Sequence, residues 1–104
     1  MQYQSTRNPD LSISSSEAIV RGLGPDGGLF VPESFPHADL EGWKGLSYPA
    51  LAEKVLEGFL TDYDAAFLRD AAEKTYGDAF GGKAGNLVRV HDGLYALELW
   101  QGPT

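Results

Sequence analysis

The chain has 104 residues, enough for one small domain. Fifteen Asp and Glu against eight Lys and Arg give a net charge of −7, which argues against partners such as nucleic-acid phosphates or an anionic membrane surface. With no cysteine, disulfides, thiolate catalysis and cysteine metal sites are excluded, while the 42% apolar and 22% charged content is that of an ordinary globular domain.

The opening MQYQSTRNPD lacks the charged-then-apolar form of a signal peptide. No apolar run approaches the roughly 18 residues of a membrane span. The expected setting is soluble and cytoplasmic.

Residues 1–13 read as an extended arm carrying Tyr3, Leu11 and Ile13. A short helix is expected from Ser14 to Gly22, because Ser14-x-x-Glu17 has the form of a capping box. Ala18, Ile19 and Leu23 would share one side of it. Gly22 or Gly24 suits the C-cap, and Pro25 forbids continuation. Pro25-Asp26-Gly27-Gly28 is a turn by composition: proline presets φ, aspartate bonds back to the backbone, and glycine accepts positive φ. Leu29-Phe30-Val31 should follow as a short buried extended segment stopped by Pro32.

Residues 33–46 read as a loop pinned to the body by Phe35 and Trp43. Ser47 to Leu60 is the clearest helix, with Ser47 as cap and Pro49 in the first turn. Leu51, Val55 and Phe59, with Ala52, Leu56 and Leu60, form a wide apolar stripe expected to be core. Glu53, Lys54 and Glu57 fall on the other side. A second helix should start at Asp62 or Asp64 and run to about Tyr76. Phe67, Leu68, Ala71, Ala72 and Tyr76 would be its buried side, and Arg69, Asp70, Glu73 and Lys74 its wet side. The short link between the helices predicts an antiparallel pair. After a glycine-rich connection, Leu87–Val90 and Leu94–Trp100 flank His91-Asp92-Gly93, a strong hairpin signal.

Little assembled chemistry is visible. GGKAGN at Gly81–Asn86 lacks the Ser or Thr that a phosphate loop needs after its lysine, and it follows a helix where such a loop follows a strand. His37 near Asp39 and His91 near Asp92 have no metal-ligand spacing, so no metal is expected. Ser5-Thr6-Arg7 offers two hydroxyls and a guanidinium, a weak anion-site candidate. From the residues alone the chain is a small α+β domain with about three helices, short extended segments and a C-terminal hairpin.

Three segments, taken together, resemble bacterial threonine synthase. They are Tyr3-Gln4-Ser5-Thr6-Arg7; Glu17-Ala18 followed by Gly22-Leu23 and PDGGLFVPE; and LYALELWQGPT at Leu94–Thr104. In this order and near this spacing they cover essentially the whole chain. Asn8 stands where the family often has glycine, and Gln101 where it has histidine, which removes an imidazole from that point.

The resemblance implies that residues 1–104 are the N-terminal cap domain of a fold-type II α/β enzyme using pyridoxal 5'-phosphate. That enzyme converts O-phospho-L-homoserine and water to L-threonine and phosphate, as a carbon–oxygen lyase in threonine biosynthesis. The family's cofactor-binding lysine follows GPT within a few residues, so it is expected after Thr104, with none of the catalytic residues in this chain. The hairpin 87–100 would lead toward the catalytic domain and bring Gln101, Gly102, Pro103 and Thr104 near substrate and cofactor. Asp26 is a further substrate-contact candidate. The chain alone should bind no cofactor and be inactive. It should also self-associate or fray after about Tyr95, where apolar surface and a strand edge are left open. The alternative is a stand-alone binding or regulatory module derived from this domain.

Overall fold

The computed structural model describes residues 1–78 and 85–99. The described residues form an α+β domain with three helices and two small antiparallel sheets. The first sheet has strand order β2-β1-β3, built from β1 (Gln2–Ser5), β2 (Ser12–Ser14) and β3 (Phe30–Pro32). Its centre is β1, where Tyr3 pairs with Ile13 on one side and Pro32 on the other. Proline is tolerated there because β3 is an edge strand.

Helix α1 (Ser15–Arg21) follows β2 directly. The hydroxyl half of the capping box is present: Ser14 Oγ accepts the Glu17 N–H at 3.2 Å. The carboxylate half is not, because Glu17 turns to Arg21 one turn on, at 2.6 Å. Gly22 caps the C-terminus with φ 72°. Beneath α1 and the sheet lie Ile13, Ala18, Ser5 and Ser15, all buried. The expectation that Leu29–Val31 would be buried fails in part. Phe30 is half-buried, but Leu29 and Val31 are exposed, because among the described residues no second layer covers the outer face of this edge.

Helices α2 (Tyr48–Phe59) and α3 (Ala65–Tyr76) form an antiparallel pair. Ser47 caps α2 by accepting the Ala50 N–H at 3.4 Å, and Asp64 caps α3 through the N–H groups of Ala66 and Phe67. Leu68 and Ala72 are buried between the helices, and Tyr48 meets Tyr76 edge-on at 5.2 Å across the far end.

Three expectations about this pair are corrected. The apolar stripe of α2 is wider than one helix can cover. Pro49 and Glu53 are buried, with Glu53 bonded to Arg69 of α3, while Leu51 and Val55 stay exposed and Leu60 turns toward Tyr3, Ala18 and Phe30. Glu53, assigned to the wet side, is instead buried with only 8% exposure, and its carboxylate accepts from Arg69 Nε at 3.1 Å. Phe67, assigned to the buried side, is exposed and stacks on Tyr63 at 5.7 Å.

The last elements are β4 (Asn86–His91) and β5 (Leu94–Glu98), with Asp92-Gly93 alone as the turn because His91 pairs with Leu94. The register then jumps to Arg89 opposite Tyr95, so Val90 forms a bulge. Every residue of β4 is exposed, as are the first four of β5. The radius of gyration, 16.4 Å, exceeds the roughly 13 Å of a compact domain of this length, as expected for a hairpin that stands off the body.

Candidate functional site

Among the described residues, a dense set of hydrogen bonds joins the end of β1 to the turn before β3. Ser5 is buried, and its hydroxyl donates to the Asp26 carboxylate, with Oδ1 at 2.9 Å and Oδ2 at 2.7 Å. The same oxygen accepts the Arg7 N–H at 3.2 Å. Asp26 Oδ1 also accepts the Gly28 N–H at 2.8 Å. Thr6 and Leu29 exchange two bonds: Thr6 N–H donates to the Leu29 carbonyl at 2.9 Å, and Leu29 N–H to Thr6 Oγ1 at 3.0 Å. Arg7 Nη1 donates to the Asp26 carbonyl at 3.0 Å. The turn itself closes where Gly24 N–H meets the Gly28 carbonyl at 2.9 Å.

This explains why glycine stands at position 28. A β-carbon there would lie 2.2 Å from Ser5 Oγ, which forces a shift, and 3.1 Å from the Arg7 backbone nitrogen, a tight contact. Thus Ser5-Thr6-Arg7 and the Pro25–Leu29 segment, separate in sequence, are one structural knot.

The electrostatics suit a clamp. The Ser5 hydroxyl, then the Gly28 N–H, hold the Asp26 carboxyl below its usual range, with Arg7 adding to the effect and burial opposing it. Ser5, Asp26 and Gly28 bond to one another across two chain segments, so the contact positions backbone.

A second link ties the sheet to the helical pair. The Asp62 carboxylate accepts from the Ser15 and Ser16 hydroxyls and from the Ser16 N–H, the last at 3.0 Å. Bonding to Ser16 holds its carboxyl low against the opposing effect of burial. Asp62 therefore serves the first turn of α1 and not the start of α3, which Asp64 caps. Tyr3 Oη donates to the Phe59 carbonyl at 2.9 Å, and burial, then the Asp62 charge, raises its phenol above the usual range. Sequence reasoning missed both links. Their partners lie 46 to 56 residues apart, so no local pattern marks them.

Of the other singled-out residues, His37 lines a cleft of about 180 Å³ with Pro36, Trp43, Val55 and Phe59. Phe35 meets Phe59 edge-on at 6.4 Å, and Trp43 is half-buried at this cleft. His91 contacts only the neighbouring Asp92 carbonyl, through Nδ1 at 3.0 Å. Among the described residues no group of three or more His, Cys, Asp or Glu is placed to hold a metal ion, and no helix is long and apolar enough to cross a membrane. Gln101, Gly102, Pro103 and Thr104 lie outside the described residues, as does most of the GGKAGN segment.

The knot, both its halves and the helical pair fall within residues 2–76, the span matched by the family model for the threonine synthase N terminus. The chain belongs to the threonine synthase N-terminal family. Across all of this chain it is 38% identical to threonine synthase from Methylobacillus glycogenes, of which it covers 24%. It is 34% identical, again over its full length, to threonine synthase-like 2 from Homo sapiens, covering 22% of that protein. Among solved structures, pyridoxal-phosphate-bound threonine synthase from Brucella melitensis matches 99% of the chain with a TM-score of 0.85 and 32% identity. The chain covers 23% of that structure, so it spans about a quarter of the length of the proteins it matches.

Proposed function

We propose that residues 1–104 are the cap domain of a threonine synthase that converts O-phospho-L-homoserine and water to L-threonine and phosphate. The observation that carries this reading is the match of residues 2–76 to the family model for the threonine synthase N terminus, with the whole chain matching about a quarter of threonine synthases. The knot between Ser5-Thr6-Arg7 and Asp26–Leu29 supports it, because two of the three segments that resemble the family meet there.

Pyridoxal phosphate supplies an electron sink for carbanion chemistry when bound. The described residues do not fit it. Binding needs a lysine amine free to form a Schiff base, and Lys44, Lys54 and Lys74 each reach a carboxylate on the surface, at 2.6, 2.9 and 2.6 Å. In this reading the cofactor is held by residues other than these. The chain alone is then inactive and binds no cofactor.

The domain's part is structural and steric. It shields one side of the catalytic body and delivers β5 toward it. Exposed apolar residues on both faces of the hairpin, Leu87, Val88, Val90, Leu94, Tyr95 and Leu97, support such a docking role. A two-stranded hairpin is marginal by itself, so a covering surface would stabilise it. Gln101, Gly102, Pro103 and Thr104, next along the chain, lie beside substrate in this reading. The same open surface drives self-association of the chain by itself, and the whole enzyme works in the cytoplasm.

The test is to express the longer protein and this chain separately and assay threonine formation from O-phosphohomoserine. Activity in the longer protein and none in this chain is expected. No activity in the longer protein, under conditions where a known threonine synthase works, overturns the reading. In the active enzyme, Thr104→Ala should lower kcat/KM, and an unchanged value rules out its contact with substrate.

A further inference from the structure

The chain is strongly acidic, and its described cations are almost all neutralised. Arg21, Lys44, Lys54, Arg69, Lys74 and Arg89 are each within ion-pair distance of a carboxylate. Arg7 is the exception among the described lysines and arginines. Its guanidinium is fixed by a backbone carbonyl instead, that of Asp26 at 3.0 Å.

That difference matters chemically. A guanidinium carries five N–H donors in a planar fork. One is used on the Asp26 carbonyl, which positions the group without an ion pair, although the nearby Asp26 carboxylate offsets part of its charge. The nearby carboxylate of Asp26 is engaged by Ser5 and Gly28. Gly27 gives the guanidinium its seat. A β-carbon there would stand 2.9 Å from Arg7 Nη1, and the φ of +76° disfavours any side chain.

Thr6, the preceding residue, adds a second group. Its Oγ1 accepts the Leu29 N–H, which leaves the hydroxyl proton free to donate. Both residues are exposed, and both clasp the same Asp26–Leu29 turn. An exposed, held guanidinium without an ion pair, beside a hydroxyl donor on a glycine turn, is suited to an oxyanion.

We propose that Arg7, with Thr6, forms a phosphate-recognition site over the Gly27-Gly28 turn. The choice of phosphate rests on the proposed function, in which substrate and product both carry it. The Asp26 charge opposes anion entry, so affinity in the chain alone is weak. Arg7 is a binding group in this proposal, and Ser5 and Asp26 are positioning residues.

The test is a titration of the ¹⁵N-labelled 104-residue chain with inorganic phosphate, against chloride at matched ionic strength. Saturable shifts at the Arg7 Nε–H and at the Thr6, Gly28 and Leu29 amides are expected with phosphate only. Arg7→Ala should weaken binding roughly tenfold to a hundredfold, the loss of a charge-assisted bond. Thr6→Val should weaken it less. Should Arg7→Ala disturb the fold, Arg7→Lys keeps the charge without the fork and should still weaken phosphate binding severalfold. Absence of a saturable shift overturns the site. So does an equal shift with chloride, or one that survives in a folded Arg7 variant unchanged. Phosphate binding without threonine formation by the longer protein overturns the proposed function and leaves the site standing; the converse overturns the site alone.

Discussion

Replacing Gly28 by alanine tests whether the knot between β1 and the 25–28 turn holds the sheet together. The new β-carbon would lie 2.2 Å from Ser5 Oγ, 3.0 Å from Asp26 Oδ1 and 3.1 Å from the Arg7 backbone nitrogen. Ser5 is buried, so its hydroxyl has no solvent to turn into. If Ser5 rotates away, its charge-assisted bond to Asp26 is lost, at about 1.5–3 kcal/mol. If it stays, overpacking costs about 1–3 kcal/mol. Either way Gly28→Ala should destabilise by about 2–3 kcal/mol. For a domain of this size that is a fall in Tm of roughly 8–24 °C. Ser5→Ala should also destabilise, since it removes the hydroxyl that joins β1 to Asp26. The decisive quantity is the double variant. With Ser5 Oγ gone the worst clash is gone, so Ser5→Ala/Gly28→Ala should fall short of additivity by at least about 1 kcal/mol. Urea unfolding followed by far-ultraviolet circular dichroism measures all three. A Gly28→Ala change within about 0.5 kcal/mol of the parent, or strict additivity, refutes the reasoning.

The remaining predictions concern the ion pair, acid and the hairpin. Arg69→Ala should cost about 1 kcal/mol, because Arg69 itself is largely exposed, while Glu53→Leu should be neutral or stabilising, since an apolar residue suits that buried row; urea midpoints compare them. Asp26 and Asp62 both have folded-state pKa values below the ordinary 3.8, so their stabilisation is full above that value and is lost as pH falls through the folded values. The unfolding midpoint should therefore drop between about pH 5 and pH 2, and Asp26→Asn and Asp62→Asn should each flatten the drop; an unchanged pH profile in both would refute the assignment. Amide exchange in β4 and β5 should be far faster than in α2 and α3, because the strands bury almost nothing; equal protection would show that the hairpin has found a cover, and sedimentation would identify a second copy.

The legible features are those carried by neighbours in the sequence. Ser14, Ser47 and Asp64 announce their helices because a cap bonds within three residues of itself. Asp92-Gly93 announces the hairpin for a similarly local reason. Gly22 ends α1 where Pro25 already forbids more helix. What was misread depends on how much surface a neighbour covers. The row through Leu51 and Val55 looks like core because it is apolar, yet coverage is set by where α3 lies, and α3 took the row holding Glu53. Hydrophobic periodicity finds a face but does not say what shields it. Leu29, Val31 and the hairpin repeat the point: each is apolar by sequence and exposed in this quarter-length chain.

The candidate site was legible only as two halves. Ser5-Thr6-Arg7 read as three polar residues, and Pro25–Gly28 as a turn. Antiparallel pairing of β1 with β3 sets Ser5 opposite Phe30, which brings the turn's carboxylate and backbone over the end of β1. Because that register is fixed by ladder bonds, Asp26 has one place to go, and Ser5 is the donor it meets. Gly24 and Gly28 are both buried under this contact, so the glycines do more than permit a reversal. They let two backbone segments approach until a serine hydroxyl fills the space where a side chain would stand. Such a clamp fixes Arg7 as a consequence: its N–H is held by Ser5 and its guanidinium by the Asp26 carbonyl. The cation's placement follows from the knot. A change that loosens Ser5 should therefore weaken phosphate binding as well as stability, whereas a change at Arg7 should weaken binding with little loss of stability.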